Sequence, residues 1–65
     1  MVIKRDIYAS AKLLIKQHRS KAEDVVTEKM LQLMEHDDVK GALVWLAILN
    51  AINDLEIREQ QKHLH

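Results

Sequence analysis

Cysteine and proline are both absent from this chain of 65 residues, and glycine and tryptophan occur once each. Without cysteine there is no disulfide and no thiolate metal site, which is in keeping with a reducing compartment. Without proline, and with Gly41 as the single glycine, little interrupts helix formation, and the many Ala, Leu, Lys, Glu and Gln residues favour it. β-Branched residues nowhere alternate with polar ones over a useful length, so no strand is expected. The longest apolar run, Ala42 to Leu49, is far too short to span a bilayer, so no membrane partner is expected. The N-terminal stretch places its charges after two apolar residues and has no small-residue cleavage site. It does not read as a signal peptide, and a soluble cytoplasmic protein is the expectation.

Catalytic equipment is sparse as well. Ser10, Ser20 and Thr27 are the only aliphatic hydroxyls, and no glycine-rich phosphate loop exists. Asp24 and Glu28 stand at helical spacing, as carboxylates on solvated faces often do. His36-Asp37-Asp38 invites a metal reading, but the other histidines are only His18 and the terminal His63 and His65, which are two apart and share no helix face. An aspartate before an apolar run reads first as a helix cap. His18, at the end of a helix, reads first as a partner of the last helix carbonyls. No catalytic residue, resident metal or cofactor is assigned, and no enzyme is expected.

The formal net charge is zero, but the charges are segregated. Residues 1–21 carry six basic side chains against one acidic, a net of +5, whereas residues 22–56 carry two basic against eight acidic, a net of −6. This asymmetry implies either complementarity between helices or a binding face.

Apolar spacing at about 100° per residue predicts a single all-α domain over 1–65, a small three-helix bundle with antiparallel helix pairs. In the first helix, about 4–18, Ile7, Ala11, Leu14, Ile15 and His18 form the inner stripe, with Tyr8 at its edge. Arg5, Lys12, Lys16 and Arg19 make a basic face beside it. Ser20-Lys21-Ala22-Glu23 has the form of a capping box that starts the second helix, about 21–36. Its inner stripe is Ala22, Val26, Met30 and Leu33. Asp38 is the favoured cap of the third helix, about 39–58, on which Val44, Trp45, Ile48, Leu49, Ile52 and Leu55 cover one broad face. Gly41 projects into that face and implies a close approach by another helix. From about residue 59 the chain turns polar and a frayed tail is expected. The predicted core is Ile7, Leu14, Val26, Met30, Leu33, Trp45, Ile48, Ile52 and Leu55.

Four leucines do not fit the inner stripes: Leu13, Leu31, Leu43 and Leu46. A helix that is apolar nearly all round is usually buried on all sides, and in so small a domain that burial calls for a second chain. Two-fold homodimers are the commonest closed assembly. Self-association through these leucines is therefore expected, with room for an unidentified protein partner. The basic face of the first helix supplies the competing reading, a nucleic-acid-binding or regulatory protein. Neutral net charge and an apolar, acidic third helix weigh against it.

Asp6-Ile7-Tyr8, Leu14-Ile15, Gln17-His18, Gly41, Val44-Trp45, Ile48-Leu49, Ala51-Ile52 and Leu55 together resemble the pattern of a group of short, uncharacterised bacterial all-helical proteins. The likeness covers most of residues 6–55. That pattern often has glycine after Gln-His, where Arg19 stands here. The resemblance implies a bacterial cytoplasmic protein and carries no activity with it.

Overall fold

The computed structural model describes the backbone of residues 4–63 and side chains through Gln61. The chain is all-α: α1 spans Lys4–His18, α2 Ala22–Glu35 and α3 Val39–His63, and the described residues contain no strand. Among the described residues only one non-helical break occurs, at residues 36–38. The first connection is itself a 3-10 turn at Arg19–Lys21. Residues 4–35 thus form one continuous helical stretch with a bend in it, and residues 39–63 form a second.

That bend revises the capping expected at Ser20. Ser20 lies inside the 3-10 turn, and Lys21 occupies the N-cap of α2 without a side-chain cap bond. A capping serine needs extended backbone so that its oxygen reaches the second or third amide of the helix. Here the turn leads straight into α2 and denies Ser20 that conformation. The bend rests instead on Arg19, whose φ of 50° is left-handed. Such a conformation suits glycine and costs a residue with a Cβ.

The second connection has full hydrogen-bond accounting. Asp37 is left-handed, with φ 59°. Its amide donates to the Met34 carbonyl at 3.1 Å, and the Asp38 amide donates to the Leu33 carbonyl at 2.9 Å. This pair of bonds is the Schellman closure of α2. Asp38 then caps α3, as expected: its Oδ1 accepts from the Gly41 amide at 3.0 Å, and its carbonyl accepts from Ala42 at 3.0 Å. The reason for Gly41 differs from the helix contact expected. A Cβ there would sit 2.7 Å from Asp38 Oδ2, so the glycine makes room for the capping carboxylate.

α1 runs alongside α3 in the same direction. Lys4, Ile7 and Tyr8 share a groove with Leu43–Ala51, and Lys12, Ile15 and Arg19 share one with Leu55–Gln60. α2, joined to α3 by three residues, returns antiparallel to it. Both pack mainly on α3 and only lightly on each other. The 25 residues of α3 measure about 37 Å and set the long dimension of a body 45 × 24 × 16 Å.

The core is small. Ala11, Ala22, Val26, Ile48, Ala51 and Ile52 form its buried cluster, and only Val26 and Ile52 are both large and fully enclosed. Ile7, Tyr8, Leu14, Ile15, Val44, Trp45, Leu49 and Leu55 pack against it half-buried. Met30 and Leu33 are half-buried on α2. α3 continues past Arg58 to His63; Arg58, Glu59, Gln60, Gln61 and Lys62 are all good helix formers, and Arg58 pairs with Asp54 one turn back at 3.0 Å. The tail expected to fray from about residue 59 is therefore helical as far as His63; Leu64 and His65 lie outside the described residues.

Two outcomes test this account of the turns. Arg19→Gly is expected to stabilise the chain by about 1 kcal/mol, a rise of about 4–8 °C in the thermal midpoint; an unchanged or lower midpoint would mean that Arg19 is not strained. Asp38→Ala is expected to cost about 1 kcal/mol. Gly41→Ala, worth up to about 1 kcal/mol of helix propensity, should be near neutral in the wild type and realise its gain once Asp38 is alanine. Urea denaturation of the four chains measures the coupling, and an equal effect of Gly41→Ala in both backgrounds would remove the link.

Candidate functional site

The surface features worth testing lie along α3, on both flanks and on its outer face. On the α1 flank, the Tyr8 hydroxyl donates to Asp54 Oδ2 at 2.7 Å, and Arg58 meets the same oxygen at 3.0 Å. The hydrogen bond to Asp54 raises the Tyr8 hydroxyl above the ordinary tyrosine range. Partial burial and the Asp54 charge add to this, and Arg58 opposes it. Tyr8 thereby ties α1 to α3 through a neutral phenol.

On the α2 flank, Glu23 faces Glu56. Burial pushes the Glu56 carboxyl up, and the charge of Glu23 and a hydrogen bond with it push in the same direction. A hydrogen bond between two carboxyl groups needs a proton, so at neutral pH this contact is a repulsion.

The basic face divides once it is folded. Arg5, Lys12, Lys16 and Arg19 are all exposed. Arg5 and Lys12 line a groove between α1 and α3 together with Lys4, Tyr8, Leu55 and Arg58. Lys12 and Arg19 border the next groove, whose other wall carries Glu56 and Glu59. Lys16 lines neither, and among the described residues no ion pair joins these four side chains to the acids of α2. Lys4 and Arg58 were not part of the basic face read from sequence. Arg58 lies 46 or more residues from Arg5 and Lys12, and only folding brings it beside them.

The histidines do not converge. His18 ends α1 and is exposed, whereas His36 sits at the C-cap of α2, one 14-residue helix away, or about 21 Å. A shared site for the two is ruled out by that separation. The side chains of His63 and His65 lie outside the described residues. Among the described residues no group of three metal-binding side chains occurs, and no helix is long and apolar enough to cross a membrane.

The outer face of α3 carries exposed apolar side chains. Val39, Leu43, Leu46 and Ile57 are 63, 58, 39 and 45 % exposed. Leu43 borders a groove with Ile7, Tyr8, Val44, Ala47 and Asn50. Met34 and Leu31, also exposed, belong to α2; Met34 is eleven residues on from Glu23 and so shares the side of α2 that meets Glu56. Leu13 is exposed and lies opposite the α1 stripe of Ala11 and Ile15, away from α3. The four leucines read together from sequence therefore do not make one surface: Leu43 and Leu46 share a face, Leu31 is on another helix, and Leu13 stands apart.

No protein-family model matches the chain, and neither does any curated protein or solved structure. Function therefore rests on the geometry alone.

The carboxyl contact gives a pH-dependent outcome. Because the folded pKa of Glu56 is raised, its contribution to stability is complete below the unfolded glutamate value and is lost as the pH rises through the folded one. Glu56→Gln is expected to raise the thermal midpoint at pH 7, and the gain should close towards about pH 4. A gain that is the same at both pH values would show that charge at Glu56 is not its source.

Proposed function

We propose that this chain is a small protein-interaction module that works as a homodimer and has no catalytic activity of its own. In this reading α1, α2 and α3 behave as one three-helix bundle, and the outer face of α3 receives a second copy. The observation that carries the reading is the line of four exposed apolar side chains on α3, the helix on which the others pack.

Monomers seldom leave large contiguous apolar patches in water. The resemblance to short bacterial proteins supports a place in the bacterial cytoplasm.

A second reading rests on the groove shared by Lys4, Arg5, Lys12 and Arg58. Four cations around one concavity suit phosphate, and nucleic-acid binding through them would weaken steeply with salt. The neutral net charge makes this the lesser reading.

Sedimentation velocity across micromolar concentrations is the deciding experiment. The expected result is a reversible species of twice the 7.6 kDa chain mass, converted to monomer by Leu43→Asp with Leu46→Asp while helix content is kept. A single monomeric species at every concentration would end the dimer reading, and a salt-sensitive mobility shift with short duplex or single-stranded DNA would then favour the basic groove.

A further inference from the structure

The exposed apolar residues of α3 are not scattered. Val39, Leu43, Leu46, Asn50, Asn53 and Ile57 follow one another at intervals of four, three, four, three and four residues, and all six are exposed. This alternation is the spacing that a coiled-coil seam uses, in which the repeated side chains face a partner helix. The seam lies opposite the side of α3 that buries Ile48, Ala51 and Ile52. Beside the seam, the small side chain of Ala47 leaves a groove between Leu43 and Asn50 that is walled by Ile7 and Tyr8. Such a groove accepts a side chain from a facing helix.

Two asparagines at the centre of an apolar seam are costly in any pairing that buries an amide against leucine, because an unpaired buried amide forfeits its hydrogen bonds to water. They are satisfied when amide meets amide. Identical copies provide this in either direction: parallel chains set each asparagine against its own counterpart, and antiparallel chains set Asn50 against the partner's Asn53. No residue of the seam is charged, so two copies do not repel along it. Resting on the dimer reading above, we infer that α3 pairs with α3 of a second copy along this seam, and that Asn50 and Asn53 fix its register and limit the assembly to two chains. A polar residue in a coiled-coil seam gives up stability for that specificity.

The test compares the wild type with Asn50→Leu/Asn53→Leu by sedimentation equilibrium. Both asparagines are exposed in the subunit, so its own fold does not depend on them; circular dichroism checks this, and Asn50→Ala/Asn53→Ala serves as a second variant. The leucine variant is expected to associate at least about tenfold more tightly and to populate species larger than a dimer, and the alanine variant to lose the two-chain limit as well. A wild-type dimer whose dissociation constant and stoichiometry are untouched by both variants would overturn the seam while leaving dimerisation through another face intact. A wild type that stays monomeric would overturn both.

Discussion

Ala11, Ala22 and Ala51 are sealed from solvent at the centre of the molecule, and they set how near the helices come to one another. Helix separation depends on the side chains at the contact. With methyl groups there, the axes draw together and little volume remains between them, enough to enclose Val26 and Ile52 completely and little else. The larger apolar residues lie around this cluster or outside it. Leu14, Trp45 and Leu49 cover the cluster from its rim, and Leu43, Leu46 and Leu31 are left outside.

The two flanks of α3 hold their neighbours by opposite means. On one side Tyr8, Asp54 and Arg58 form an attractive polar contact within a single turn of α3. On the other, Glu23 and Glu56 repel when both are ionised, and α2 stays in place through Ala22, Val26 and the tight turn before α3. α1 depends more on a polar anchor, and α2 on apolar packing and chain connection.

Local features were legible in the sequence, and features made by distant residues were not. The start and end of α1, the start of α3 and the Asp38 cap all follow from spacing and capping chemistry within a few residues. The Ser20 cap misled because its four-residue pattern is silent about the turn in which it sits. Alanine in the core was under-read: Ala11 and Ala22 lay on the predicted stripes but outside the predicted core, whereas Met30 and Leu33, placed in it, are only half-buried. Tyr8 and Asp54, 46 residues apart, carry no mutual signal along the chain. The outer face of α3 was half legible. Leu43 and Leu46 stood out as surplus, whereas Asn50 and Asn53, whose spacing completes the line, were passed over because they are polar.

Asp38 closes α2 with its amide and opens α3 with its carboxylate, so the connection between those helices has no slack. α3 is apolar on nearly every side over its first turns, and burial by itself does not choose which side turns inward. One residue added between His36 and Asp38 would rotate α3 by about 100° and exchange part of its outer face with its inner one. The short turn therefore sets a phase: it selects which of two apolar faces becomes the interior and which remains exposed.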